Sequence, residues 1–231
     1  MDAITSAHPG KALGIAVHNG DPMTVVDYDS GIGAFIGGYP SAIVDRGAEV
    51  DPSGMSPDFF ARLQIPPVAT LINGATWDPI SRILNVSVKA DFALAANSSY
   101  KLACVLTEDD VTGTGSGYNQ SNAYAGGGNG VMGGFELLPS SVPAAQMVYD
   151  HVARAIAPSF TGEANSFPAT VLAGQSHTLN FSFTLPATWD ENSINIIGLL
   201  LNPQGGIDNA GKATIAEAVA NGYVAGLSTI Y

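Results

Sequence analysis

The chain has 231 residues and a mass of 23.6 kDa, which is enough to bury a sizeable core in one large domain or two small ones. Charged residues make up 12% of it, about half of the ~25% typical of soluble domains, and the formal net charge is −12 at pH 7. This acidity excludes nucleic acids and anionic membrane surfaces as the main partners, because phosphate binding requires clustered Lys and Arg.

The first sixty-six residues carry mixed helix and strand signals. Residues 12–18 form a nearly continuous apolar run, and residues 42–44 form a shorter one, as is typical of strands buried on both faces. Residues 25–36 are a helix candidate. A further helix is predicted to start at Ser56 and Pro57, with serine as the cap and proline in the first turn.

Pro66 and Pro67 mark the predicted domain boundary, because the apolar period changes to two after them. Residues 84–88 and 179–185 alternate apolar and polar side chains, while residues 193–201 are more uniformly apolar. Turn residues separate these runs at the spacing of a sandwich. The pattern predicts an antiparallel β-sandwich.

The segment 111–135 is rich in glycine and follows no helix or strand period. Loops longer than about fifteen residues inside a compact domain are usually functional or mobile. We expect this one to fold over a surface through its tyrosines, Tyr118 and Tyr124.

The single cysteine, Cys104, excludes an internal disulfide and a cysteine-rich zinc site. It alternates with apolar residues and has no basic neighbour in sequence to activate a thiolate, so we expect an inert core residue. No apolar run approaches the ~18 residues of a membrane-spanning helix, so no transmembrane segment is predicted. The first residues carry no secretion signal, which fits either a cytoplasmic protein or a fragment whose leader lies upstream.

The one acidic cluster consists of Glu108, Asp109 and Asp110. It lies where a strand predicted from the alternating residues Tyr100, Leu102, Cys104 and Leu106 ends and the glycine-rich segment begins. Carboxylate and amide oxygens on a flexible loop suit calcium. The alternative is a solvated strand end on a protein that is acidic everywhere. The solvated strand end is favoured, so no cofactor is predicted, and calcium at Glu108, Asp109 and Asp110 is kept as a hypothesis.

Four stretches together resemble the outer membrane protein Omp-28-related family. They are residues 14–20, 38–46, 106–111 and 149–155, and they occur in the family's order. The resemblance implies a thioredoxin-like domain followed by a β-sandwich, in a secreted or surface protein of a Gram-negative bacterium. It also implies that a Cys-x-x-Cys segment precedes Met1 and that a sorting segment follows Tyr231, so that the chain is a fragment.

The fold class predicted from pattern and resemblance is α+β. It comprises a truncated, partial thioredoxin-like domain over residues 1–66 and an antiparallel immunoglobulin-like β-sandwich over residues 67–231. The resemblance places Pro40 where thioredoxin-like folds keep a cis-proline, which exposes the preceding backbone to an extended peptide. Tyr39 and Pro40 are therefore the predicted peptide- or partner-facing residues.

The predicted function is an extracytoplasmic binding or structural module without catalytic activity of its own. The alternative is a thiol–disulfide oxidoreductase domain whose Cys-x-x-Cys lies upstream. The expected partner is a protein or peptide of unknown identity. Because the missing first strand would leave residues 13–17 with an open edge, we expect them to pair directly with residues 42–44 or to be buried in a homodimer.

Overall fold

Two four-stranded sheets pack face to face in the computed structural model, which describes residues 1–228. The strands are β1 (Ala69–Asp78), β2 (Ile83–Phe92), β3 (Lys101–Glu108), β4 (Gln120–Ser121), β5 (Ser141–Val142), β6 (Val152–Ala157), β7 (Ser176–Thr184), β8 (Ile194–Leu201), β9 (Ile207–Thr214) and β10 (Leu227–Ser228). The α-helices are α1 (Asp2–Ala7), α2 (Val26–Ile32), α3 (Ser56–Arg62) and α4 (Ile215–Asn221).

The first sheet has the order β1-β2-β7-β10 and the second the order β6-β3-β8-β9. All neighbours are antiparallel except β10, which runs parallel to β7. Strands β4 and β5 form a separate small ribbon. The mostly antiparallel sheets with a few helices agree with the predicted α+β class and with a β-sandwich. Residues 229–231, the end of the predicted sandwich domain, lie outside the described residues.

Apolar and polar residues alternate along β2 and β7 of the first sheet, because one face of these strands packs on the second sheet. Leu84, Val86 and Val88 of β2 are fully buried, and Phe181 of β7 joins them in the core between the sheets. In contrast, all eight residues of β8 are buried. The second sheet must therefore be covered on both faces, which explains the uniformly apolar sequence of β8.

The cover on the outer face of the second sheet comes from the N-terminal part of the chain. This N-terminal layer and the sheet share one hydrophobic cluster. The sheet contributes Ala103, Val105, Ala153, Ile197, Leu199 and Leu201. The N-terminal layer contributes Leu13, Ile15, Val17, Val25 and Tyr28, among others. The N-terminal residues thus share a hydrophobic cluster with β3 and β8.

The predicted strands at residues 12–18 and 42–44 are wrong, since each contributes only an isolated bridge. Ala16 pairs with Val152, and Ala42 pairs with Val50. The expected pairing of residues 13–17 with residues 42–44 is therefore also wrong. The apolar run does indicate burial, but its partner is the edge of β6, because that edge of the second sheet has no other strand beside it.

Two hydrogen bonds attach this run to the sheet. The Ala16 N–H donates to the His151 carbonyl at 2.7 Å, and the Ala153 N–H donates to the Ala16 carbonyl at 2.9 Å. Residues 12–18 are partly or fully buried within the single chain. The expectation that they are not left open to water is confirmed.

Helix α3 begins at Ser56 as predicted, but serine is not its cap. Met55 occupies the N-cap position because a short 3-10 turn, Pro52–Gly54, runs directly into the helix. The cap of that turn is Asp51, whose side chain accepts a hydrogen bond from the Ser53 N–H at 2.8 Å. Helix α2 lies within the predicted segment 25–36.

A buried arginine anchors the N-terminal layer. The Arg46 guanidinium lies 3.6 Å from the centre of the Phe160 ring. Its Nη1 donates to the carbonyls of Phe160 at 2.9 Å and Gly205 at 3.3 Å. Tyr28 of α2 also contacts the Phe160 ring, with the two ring centres 5.7 Å apart. Phe160 is thus the point at which several distant segments meet.

Candidate functional site

Glu108, the first member of the acidic cluster, is buried in an ion pair. Its Oε2 lies 2.9 Å from Nε of Arg154, and its Oε1 accepts a hydrogen bond from the Asp190 N–H at 2.8 Å. The Arg154 guanidinium also lies 4.7 Å from the centre of the Trp189 ring. Burial raises the pKa of Glu108, while the Asp190 N–H and Arg154 oppose that rise. These contacts close one end of the sandwich.

Asp109 has a different set of partners. Its Oδ1 accepts a hydrogen bond from the His151 N–H at 2.7 Å, and its Oδ2 accepts one from Asn195 Nδ2 at 2.8 Å. The same Oδ1 lies 3.3 Å from His151 Nδ1. His151 has a φ of +60°, a left-handed conformation that is uncommon for a residue with a side chain. Asp109 therefore fixes the backbone of His151 and lies within ion-pair distance of its ring.

Asp110 also has a left-handed backbone, with a φ of +61°. Its N–H donates to Asp150 Oδ1 at 2.9 Å. In residues 1–228, no group of three or more His, Cys, Asp or Glu side chains is arranged to hold a metal ion. The calcium site at Glu108, Asp109 and Asp110 stays a hypothesis.

The peptide bond between Tyr39 and Pro40 is cis, which confirms the conformation predicted from the resemblance. The Tyr39 side chain is 47% exposed. Its hydroxyl donates to Asp29 Oδ1 at 2.6 Å, and Asp29 Oδ2 accepts from Asn19 Nδ2 at 2.9 Å. Partial burial and the Asp29 carboxylate raise the pKa of Tyr39, so its hydroxyl stays a donor.

One carboxylate, that of Glu49, accepts hydrogen bonds from the turn on both sides of Pro40. The Gly37 N–H lies 3.0 Å from each carboxylate oxygen of Glu49, and the Ser41 hydroxyl also donates to Glu49. The Ser41 hydroxyl and the Gly37 N–H lower the pKa of Glu49. This turn therefore presents an exposed tyrosine on an ordered support.

A cleft of about 280 Å³ lies between the N-terminal segment and the second sheet. Thr5, Gly14, His151 and Lys212 are among the residues that line it. The Thr5 hydroxyl, the His151 imidazole and the Lys212 ammonium group give this cleft a polar lining. Sequence reasoning did not bring these residues together, because Thr5 and Lys212 lie more than two hundred positions apart and share no motif.

The one cysteine, Cys104, lies in β3 between the two sheets and is fully buried. Burial raises the pKa of its thiol far above the ordinary value. The prediction that Cys104 is a core residue is confirmed.

The glycine-rich segment folds onto the rest of the molecule through its tyrosines, as predicted. Tyr124 is buried, and its hydroxyl donates to Asp51 Oδ1 at 2.8 Å. The Tyr118 ring packs against a small hydrophobic cluster, and its carbonyl accepts a hydrogen bond from the Tyr149 hydroxyl at 2.7 Å. The segment is thus a folded part of the surface.

Comparison with known protein families gives one match. A family model described as outer membrane protein Omp28 matches residues 28–219, a range that includes part of the N-terminal layer and most of the sandwich. A search of curated proteins found no match. None of the helices in the described part of the chain has the length and apolar character needed to cross a lipid bilayer.

Proposed function

Because the chain belongs to the outer membrane protein Omp28 family, we propose that it is an extracytoplasmic binding or structural module without catalytic activity of its own. The family description suggests a surface or extracytoplasmic location in bacteria. As part of this proposal, residues 1–66 are a truncated thioredoxin-like unit and residues 67–231 are an immunoglobulin-like sandwich. The resemblance at residues 38–46 supports the first assignment.

The observation that carries the proposed binding role is the exposed, oriented ring of Tyr39. Its hydroxyl is fixed by Asp29, and Glu49 fixes the turn beside it. Tyrosine is enriched in protein interfaces, because a large ring with few rotatable bonds contributes contact area at a low entropic cost. We therefore assign a polypeptide partner to the surface around Tyr39 and Pro40.

Binding to a fluorescently labelled, reduced and carboxymethylated polypeptide tests this assignment. Tyr39→Ala should weaken binding at least about tenfold, the effect expected for a tyrosine that anchors an interface. Tyr223→Ala is the matched control, since Tyr223 is an exposed tyrosine in a different segment. Equal binding by the two variants, or no binding by the natural chain, would contradict the proposal.

The alternative function is a thiol–disulfide oxidoreductase domain whose Cys-x-x-Cys lies upstream. The resemblance at residues 38–46 supports this alternative, because it places Pro40 where thioredoxin-like folds keep a proline beside such cysteines. Since Cys104 is buried, the chain of residues 1–231 should not catalyse insulin reduction by dithiothreitol. Turnover above the uncatalysed rate would show that this chain has redox activity of its own.

Calcium binding at the acidic cluster is proposed separately. Asp110 is the test position, because it is exposed, whereas Glu108 is buried against Arg154. Titration with calcium chloride should release or absorb heat, and Asp110→Asn should reduce the affinity through loss of a charged oxygen ligand. Asp58→Asn, at an exposed position of α3, is the control. A titration without heat, and without shifts of the amides of residues 108–110, would reject calcium here.

A further inference from the structure

The glycine-rich segment and the residues that follow it form a self-contained unit on the surface. Strands β4 and β5 pair at its base, and Phe135 and Leu138 pack on a cluster that contains Met23 and Tyr149. Between these fixed points, residues 123–137 form an excursion, which we call the tip. The tip is held at both ends by the packed base.

Two asparagine side chains of this unit donate hydrogen bonds to its own backbone carbonyls. Asn122 Nδ2 donates to the carbonyls of Phe135 at 2.7 Å and Pro139 at 3.1 Å. Asn129 Nδ2 donates to the Ala123 carbonyl at 2.7 Å. Each of these amides satisfies a backbone group that would otherwise require water.

The one carboxylate of the tip is used in the same way. Glu136 Oε2 accepts hydrogen bonds from the N–H groups of Met132 at 2.8 Å and Gly134 at 3.0 Å. Further backbone N–H groups donate to carbonyls within residues 122–138, namely those of Gly126, Gly127, Gly130, Phe135, Leu137 and Leu138. Much of the tip's backbone is therefore satisfied without solvent.

Two aliphatic side chains of the tip, in contrast, are exposed to solvent. Val131 is 76% exposed and Leu137 is 84% exposed, although Leu137 lies between Phe135 and Leu138, which pack inward. The 39 residues from 111 to 149 contain one charged side chain, Glu136, in a protein with a net charge of −12. The tip thus exposes aliphatic side chains in a stretch of sequence that carries almost no charge, although the exposed Asp51 accepts a hydrogen bond from its Tyr124 hydroxyl.

We propose that this tip inserts Val131 and Leu137 into the interfacial region of a lipid bilayer with uncharged headgroups. Two properties favour such insertion: exposed aliphatic side chains, which Val131 and Leu137 provide, and paired backbone groups, which much of the tip has. Apolar side chains gain by leaving water, and each backbone group that is already paired avoids the cost of entering a medium that offers it no partner. Two carboxylates lie in or beside the tip and both are hydrogen-bonded, Glu136 to backbone N–H groups and Asp51 to the Tyr124 hydroxyl, which lowers the cost of bringing them near the membrane.

A lipid surface fits the tip better than a second copy of the chain does. A protein partner for a protruding tip must offer a matching concave apolar site. Two clefts on the described residues are lined partly by charged or polar side chains, Asp58 and Arg62 in one and His151 and Lys212 in the other, and neither is an entirely apolar site. A fluid bilayer interface, by comparison, adapts to a protruding apolar side chain. The net charge of −12 also makes anionic lipids an unfavourable surface.

Flotation with phosphatidylcholine vesicles tests the proposal. The natural chain should float with these vesicles and should bind less well as phosphatidylglycerol is added. Leu137→Asp and Val131→Asp should each weaken binding about tenfold or more, because each removes a buried aliphatic group and adds a charge. Ile80→Asp is the matched control, since Ile80 is 95% exposed outside this unit and the substitution adds the same charge.

Both tip side chains are exposed, so the variants should keep the far-ultraviolet circular dichroism spectrum of the natural chain. No flotation of the natural chain at saturating vesicle concentration would overturn the proposal. Equal losses in Ile80→Asp and Leu137→Asp would overturn it as well. A change in sedimentation coefficient for Leu137→Asp with unchanged flotation would assign the tip to contacts between copies of the chain instead.

Discussion

The two faces of the second sheet are covered in different ways. Its inner face packs on aliphatic side chains of the first sheet that alternate along a strand, such as Leu84 and Val86 of β2. Its outer face is covered by N-terminal segments that are held by a few special side chains, above all Arg46 and Phe160. The alternating sequence pattern therefore predicts which residues form the inner interface. The packing of the outer face depends instead on single contacts between residues far apart in sequence.

The largest effect is expected at the inner interface. Phe181→Ala should lower the free energy of unfolding by about 3–5 kcal/mol, because it removes a fully buried ring and leaves a cavity between the sheets. Urea denaturation measures this loss, and Ile80→Ala, at an exposed position, should change it by less than about 0.5 kcal/mol. A similar small change for Phe181→Ala would show that the sheets are not packed as described.

A smaller and more local effect is expected in the outer cover. Arg46→Ala should cost about 2 kcal/mol, because the carbonyls of Phe160 and Gly205 lose a charged donor. Hydrogen exchange should show faster exchange in residues 13–35 and little change in β2. Lys89→Ala, which removes a half-exposed ion pair with Asp91, is the control and should cost about 0–1 kcal/mol. Equal loss of protection in β2 would mean that the cover and the core unfold together.

The outer face of the first sheet offers a third comparison, because residues 222–226 cross it. A Cβ on Gly74 would lie 1.9 Å from the Gly222 carbonyl oxygen. Gly74→Ala should therefore displace this crossing segment at a cost of about 1–3 kcal/mol and speed its cleavage by a protease. Gly54→Ala is the matched control, since a Cβ there meets open space. Unchanged cleavage in Gly74→Ala would contradict this close approach.

The smallest effect is a pH-dependent change confined to the tip. The Met132 N–H, followed by other backbone donors, lowers the pKa of Glu136. A carboxylate with a lowered pKa stabilises the folded tip above its ordinary pKa, and this stabilisation is lost as the pH falls through the lowered value. Nuclear magnetic resonance of the Met132 and Gly134 amides should show a transition with a midpoint below 4.5, the ordinary value. Glu136→Gln should abolish it, and a midpoint above 4.5 would contradict the hydrogen bonds described.

The elements that the sequence predicted well are those with a local pattern. Strands β2 and β7 could be predicted because apolar and polar residues alternate along them, and β8 because nearly all of its residues are apolar. Strand β1 was not predicted, since its centre is Asn73 and Gly74. Asn73 is buried and its Nδ2 donates to the carbonyls of Ile196 and Gly211, contacts that only the tertiary fold supplies.

The candidate sites divide in the same way. Tyr39 and Pro40 could be found because a family resemblance covers the turn that holds them. The cleft lined by Thr5, His151 and Lys212 could not be found from the sequence, because these residues come together only in the folded chain. The capping box between Thr214 and Glu217 was a local signal for α4 that the strand pattern obscured.

The two hydrogen bonds of Ala16 to the edge of β6 have a consequence for handling the protein. An open strand edge is a template for edge-to-edge association, which leads to aggregation, and natural proteins protect such edges. Here the protection is a short stretch near the beginning of the chain. A recombinant chain shortened past residue 17 would expose the backbone of β6, so its solubility would fall even though every strand of the sandwich is retained.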